Sequence, residues 1–272
     1  MFRKTIALLG ICIMLFLTLA GCVEQNKSET YIGIISAMDN EIAMLLKEAN
    51  IERVDTVAGV NYHVGTLRGH RVVITRSGIG KVRCASVVTT MLNDYPISEI
   101  IFTGIAGGVK EETKVLDQII ATRLVEHDYG ILNNDGFVWR SGDPGFGGEP
   151  GVYYYCDDYL VGLAYQASVE VVGAEHTFKG TIATGDQFIA SESYVQKLQQ
   201  DYDAYACEME GASVAVICIN YHVPFVVLRC LSDKADGNAH ESYDNFGDLA
   251  GDHSAHIVLK MLENLQENND QE

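Results

Sequence analysis

Two carboxylates flank a methionine in Cys207-Glu208-Met209-Glu210-Gly211, directly before the apolar run "ASVAVICI". Taking a carboxylate out of water is costly unless hydrogen bonds or a counter-charge replace its hydration. Two arrangements would satisfy the pair. Glu208 or Glu210 could cap the helix that follows, or a polar ligand such as a sugar could donate its hydroxyls to them. A further carboxylate, Asp233, ends the apolar run "FVVLRCLSD", and Glu41 follows "YIGIIS" in "AMDNE". Ligands of open α/β sheets lie beyond the carboxyl ends of strands. The segments "SAMDNE", "RSGIG", "TGIAGG", "TGDQFI", "EME" and "RCLSD" all fall at such ends.

The glycine clusters do not form known phosphate loops. A Walker loop needs a glycine five residues before Gly80 and Ser or Thr after Lys81, where the chain has Thr75 and Val82. A dinucleotide fingerprint needs a third glycine where Arg83 stands. The clusters instead suggest close backbone packing. No His-Glu-x-x-His pattern occurs, and His253 with His256 is a single pair without further ligands. No metal and no cofactor are expected.

These ends need a scaffold. "YIGII" reads as a strand and "NEIAMLLKEA" as an amphipathic helix. "YHVGTLRG" and "RVVITRSG" form a strand pair with a turn near Arg68-Gly69-His70, and "KVRCASVVTTMLNDY" a helix before the buried strand in "EIIFTG". Strands follow at "QIIATRLVEHD" and "HTFKGTIATGD", with a helix over roughly 157–168 between them. Ser191 is the expected N-cap of "SESYVQKLQQ". Then come the strand into Glu208, the helix "GASVAVICINY", the strand ending at Asp233, and a last helix from about Tyr243 to Leu265. This alternation predicts one three-layer α/β/α domain over 31–265 with a mixed central sheet. Residues 128–151, rich in Gly, Asn and Asp, read as a long loop of the kind used as a lid or an interface.

The chain opens with a basic start (Arg3, Lys4), an apolar stretch and Leu19-Ala20-Gly21-Cys22. That is the layout of a secretory signal, and the small residues before the cysteine resemble a bacterial lipobox. The expectation is a cleaved leader over 1–22, lipid on Cys22, and a tether over 23–30 no longer than about 28 Å. An uncleaved membrane anchor is the alternative; either places the domain outside the cytoplasmic membrane. The end, 266–272, is expected to be a disordered tail. Without Arg3 and Lys4, the formal charge of −18 becomes −20. A body so acidic is repelled by nucleic acid, which is excluded as a partner. Cys84, Cys156, Cys207, Cys218 and Cys230 are odd in number and sit mostly among apolar residues, so buried free thiols are expected.

Taken together, "GIISAMDNEIAML", "SGIGKV", "TGIAGG", "TGDQFI", "CEMEGASVA" and "VPFVVLRCLSDKAD" resemble the bacterial methylthioadenosine/S-adenosylhomocysteine nucleosidases, within the nucleoside phosphorylase superfamily. The motifs occur in the family's order across 31–265. The resemblance implies a nucleoside phosphorylase-like fold, a homodimer, and hydrolysis of the N-glycosidic bond of an adenine nucleoside. Phosphorolysis on the same fold and a non-catalytic nucleoside-binding lipoprotein are the competing readings. By resemblance, Glu210 grips the ribose hydroxyls, with Met209 against the sugar and Glu208 beside them. Asp233 is the acid that protonates the purine, and Ser232 and Asp186 are supporting polar groups. Glu41 is the base that activates water, oriented by Arg229. Phe188 stacks on the purine, and the backbone of Ile189 reads its edge.

Two departures stand out. Better-known members carry Ser or Thr where this chain has Ile105, which disfavours phosphate as co-substrate. The segment 128–151, with Phe137 and Trp139, differs from the loop that helps to form the family's 5′ pocket across a dimer. It is expected to set 5′ specificity; if it does not, Met38 and Met209 are the expected lining.

Overall fold

The computed structural model describes residues 30–141 and 152–269. The expected leader, Cys22 and the tether lie outside them, apart from Thr30, and so does 142–151 of the long loop. Eleven strands form one mixed sheet in the order β10-β7-β11-β12-β6-β13-β5-β1-β4-β3-β2. At its centre β1 (Tyr31–Ser36) runs parallel to β4 (His70–Arg76) and to β5 (Ile97–Phe102). Outward of β4 lie β3 (Val60–Leu67) and β2 (Asn50–Val57), both in antiparallel pairing. On the other side are β13 (Phe225–Asp233), β6 (Ile105–Gly108), β12 (Ala204–Glu208), β11 (Thr177–Thr184), β7 (Gln118–Glu126) and β10 (Tyr154–Tyr155).

Strand β13 is buried along its whole length and changes partner midway. Its first residues pair with β5, while Leu228, Arg229 and Cys230 pair antiparallel with β7. Because β7 also pairs with β11, strands β7-β11-β12-β6-β13 close on themselves. The expected mixed sheet is present, with this closure added. It draws the ends of β6, β11, β12 and β13 together.

The helices are α1 (Asp39–Glu48), α2 (Lys81–Asp94), α3 (Asp158–Val172), α4 (Glu192–Tyr202), α5 (Gly211–Tyr221) and α6 (Ala239–Asn269). Helices α1 and α3 pack on α6, which lies along β13; α2 packs on α5. Apolar residues at helical spacing explain this: Ile42 and Leu45 on α1, and Cys84, Val87, Val88 and Met91 on α2, are buried. Ser191 caps α4 through the N–H of Tyr194, as its sequence position predicts. The five described cysteines are free and buried.

Four readings need correction. Strand β2 was not expected, because its mostly exposed side chains give no apolar pattern. "IAGG" is a strand, β6, held by β12 and β13 rather than by propensity. Helix α6 begins four residues before Tyr243 and runs on to Asn269, into the expected tail. Within 128–151, β8 (Gly130–Asn133) and β9 (Gly136–Trp139) make a hairpin, so that part is not a loop.

Candidate active site

Glu41 is the third residue of α1, and its side chain turns back over the helix start. Oε2 accepts the N–H groups of Ala37 (2.9 Å) and Met38 (2.7 Å), and Oε1 that of Ile105 (2.9 Å). The residue is buried, and this desolvation pushes its carboxyl pKa up against the opposing pull of Arg229 and the three N–H groups. A Cβ at position 104 would lie 2.4 Å from Oε1, so Gly104 is what admits the carboxylate.

Asp233 ends β13 across the cavity. Its Oδ2 accepts from Ser232 Oγ (2.8 Å) and its Oδ1 from the N–H of Ala235 (2.7 Å). Burial raises this carboxyl too, while those two donors lower it. A Cβ at Gly107 would come within 2.9 Å of Oδ1. The glycines of "TGIAGG" therefore make room for two buried carboxylates, consistent with close packing rather than a phosphate loop.

The Glu208–Glu210 pair divides its work. Glu208 accepts from Thr184 Oγ1, from the N–H groups of Glu210 and Gly211 at the start of α5, and from Arg229 Nη2 at 2.6 Å. It is the cap and buried ion pair; its oxygens are committed to the protein. Removing one partner of such a pair costs about 3–5 kcal/mol. Arg229 lies fully buried beneath the cavity, stacked 4.1 Å from the Phe102 ring centroid. Its hydrogen-bonded partner is Glu208; toward Glu41, which it was expected to orient, it exerts a charge attraction and, among the described residues, no hydrogen bond.

Glu210 is the available member. Oε1 accepts the N–H of Gly80 at 2.8 Å, and the nearest cation to Oε2 is Arg229 Nη2 at 3.8 Å. Burial, reinforced by Glu208, pushes its carboxyl from 4.5 up to about 8. Between those values the folded chain holds a proton that the unfolded chain has lost, so stability falls as pH rises through the window. Glu210→Gln should therefore gain unfolding temperature relative to the parent between pH 5 and pH 8. An offset constant across that range, read by thermal denaturation, would refute the assignment.

These groups meet in a cavity of about 290 Å³. Met38, Glu41, Phe188, Ile189, Met209, Glu210, Ser232 and Asp233 line it, and Glu208 contributes to its floor. Phe188 is 44% exposed, stacked on His240 at 4.6 Å and edge-on to Tyr243 at 6.1 Å. His240, Tyr243 and Asp244 form a wall that the sequence reading did not assign to the site. Their i, i+3, i+4 spacing would have shown one helix face had α6 been started at Ala239. The Tyr243 hydroxyl reaches Met38 Sδ at 3.4 Å.

Trp139 is not in this cavity. Its Nε1 donates to the Glu126 carbonyl (2.7 Å), and its ring packs edge-on to Tyr153 and Tyr202. It anchors the hairpin, and among the described residues neither it nor Phe137 lines the cavity of its own chain, whereas Met38 and Met209 do.

Comparison with known proteins places this arrangement. Residues 31–263 match the family model of the phosphorylase superfamily. A 5′-methylthioadenosine/S-adenosylhomocysteine nucleosidase of Bacillus cereus (strain G9842) is 37% identical over 237 residues, covering 86% of this chain and 99% of that protein. The nucleosidase of the same name from Neisseria meningitidis, solved with methylthio-immucillin-A, superposes with a TM-score of 0.78 at 30% identity, covering 86% of this chain and 99% of its own. A futalosine hydrolase of Helicobacter pylori gives a TM-score of 0.77 at 31% identity, covering 87% and 98%. The chain belongs to the phosphorylase superfamily, in its 5′-methylthioadenosine/S-adenosylhomocysteine nucleosidase family.

Proposed function

We propose that this protein hydrolyses the N-glycosidic bond of adenine nucleosides bearing a 5′-thio substituent, releasing adenine. The observation that carries this reading is the meeting, in one cavity, of Asp233 with Glu210, Glu41 and the exposed ring of Phe188. The purine lies on Phe188, its edge read by the backbone of Ile189. Asp233, protonated because burial raises its pKa, gives its proton to N7 as the C1′–N9 electron pair passes to the base. The sugar becomes oxocarbenium-like, and the Glu210 carboxylate, accepting the ribose hydroxyls, stabilises it by charge-assisted hydrogen bonds. Water attacks C1′ from the other face and loses its proton to Glu41, as in inverting glycosidases. The Asp233 and Glu41 protonation states are then restored by exchange with solvent.

Water rather than phosphate is the nucleophile because the lining is acidic. Glu41, Glu208, Glu210, Asp233 and Asp244 face the cavity with His240 as the only basic side chain among its lining residues, and Ile105 adds an apolar wall beside Glu41. A phosphate dianion would be repelled there. The test is adenine release from 5′-methylthioadenosine, S-adenosylhomocysteine, adenosine, inosine and futalosine, with and without phosphate. Phosphate-independent release from the first two supports the proposal; phosphate dependence, or binding without release, overturns it.

The lipobox-like "LAGC" supports a lipid anchor on Cys22 and an extracytoplasmic, membrane-attached enzyme. Cys22→Ala should abolish palmitate labelling of the chain, and labelling that persists would remove the anchor. The resemblance to the nucleosidase family is what supports a homodimer. Sedimentation should give twice the chain mass, and a monomer at micromolar concentration would exclude it.

A further inference from the structure

Lys81 opens α2 and is held at both ends. Its backbone N–H donates to Asp186 Oδ1 at 2.8 Å, and its Nζ to Asp128 Oδ1 (2.6 Å) and Glu126 Oε1 (3.3 Å). Asp128 Oδ2 in turn accepts the N–H of Asp186 at 2.7 Å. The three residues close a ring of hydrogen bonds that joins the start of α2, the end of β7 and the loop after β11. The lysine and its two side-chain partners are each only 17% exposed, which limits screening of that ion pair, while Asp186 lies at the exposed side of the ring. Asp186 also sits on the N-terminus of α2, where a carboxylate is favoured.

The ring touches both halves of the substrate site without lining the cavity itself. Gly80, one residue before Lys81, gives its N–H to Glu210. Phe188 lies two residues after Asp186. Position 80 needs glycine: its φ is +99°, and a Cβ there would stand 3.1 Å from Asp186 Oδ1.

We infer that Asp186 and Lys81 are positioning residues that clamp the Gly80 N–H onto Glu210 and tie it to the Phe188 loop, so that ribose and purine are gripped by one unit. This rests on the proposed roles of Glu210 and Phe188. With the clamp closed, Oε1 of Glu210 is fixed by a backbone donor and Oε2 is left to face the sugar. With it open, the loop through Gly80 is freed, and Glu210 is left between Glu208 and Arg229. The sugar then meets a carboxylate without a set direction, and the loss falls on transition-state stabilisation rather than on the fold.

The experiment is a double-mutant cycle on the full chain, measuring kcat/KM for 5′-methylthioadenosine in the parent, Asp186→Ala, Asp186→Asn, Glu210→Gln and Asp186→Ala/Glu210→Gln. A hydrogen bond to a charged group is worth about tenfold or more, so Asp186→Ala should lose about that factor. Asp186→Asn keeps an oxygen for the Lys81 N–H and should recover most of it. In the Glu210→Gln background, the same alanine should cost less than about twofold. An equal loss in both backgrounds, or no recovery with asparagine, overturns the clamp. Parent-like kcat/KM in Glu210→Gln alone would instead strike down the ribose role of Glu210, and the inference with it.

Discussion

Asp233→Asn should lower turnover of 5′-methylthioadenosine at least about 10²-fold while the chain stays folded, the usual scale for a positioned acid. Asparagine fits the same space. Its Oδ1 can still accept the N–H of Ala235, and its amide can donate to Ser232 Oγ, which reverses one hydrogen bond without orphaning it. The proton that travels to the purine is lost. The pH profile adds a second signature. Asp233 must be protonated to act, and burial holds its carboxyl above the ordinary value. Parent activity should therefore fall as pH rises through that raised pKa, and the asparagine variant should lose this basic limb. Initial rates of adenine release across pH give both readings. A variant within tenfold of the parent, with the limb intact, would take Asp233 out of the mechanism.

Much of the scaffold was legible because its elements announce themselves locally. The limits of α5 and β13 fall where Gly211, Tyr221, Phe225 and Asp233 mark them in the sequence. β2 was not legible: its residues alternate no apolar face, and it exists because β3 offers an edge to pair with. The hairpin β8–β9 hid in the same way behind a composition rich in Gly and Asn, which marks turns well and short strands poorly.

The site shows a similar divide. Glu41, Glu210 and Asp233 stand at strand ends where the motifs placed them, and all three are buried. What sequence could not tell was which oxygen finds which donor. Glu208 and Glu210 are alike in type and two residues apart, yet Thr184, Gly211 and Arg229 engage only the first, apart from the 3.8 Å approach of Arg229 to the second. Those partners come from β11, α5 and β13, so the distinction is made by the closed ring of strands. The pairing of Arg229 with Glu208 was not foreseen for the same reason: a strand position gives the face of a side chain but not the carboxylate at its tip.

Glu41→Gln carries the second large effect, a loss of at least about 10²-fold in turnover, and its origin differs from that of Asp233. The base acts on the water that captures the cationic sugar, at the opposite end of the cavity from the purine edge. Binding of the adenine product should therefore persist in the variant while catalysis fails, so adenine inhibition serves as the control for an intact site. The amide is also an imperfect substitute. The carboxylate accepts three backbone N–H groups, whereas glutamine offers one oxygen and turns an NH₂ toward the remaining donors. Some loss of unfolding temperature is expected, and kcat must be compared on folded protein. The parent's acidic limb follows from the same burial. Glu41 and Glu210 must both be charged to work, and burial holds both above the 4.5 of a free glutamate. Activity should thus decline as pH falls below about 8, where Glu210 begins to take up its proton, and well before 4.5 is reached. A limb at or below 4.5, or a glutamine variant within tenfold of the parent, would show that the proton of the attacking water goes elsewhere.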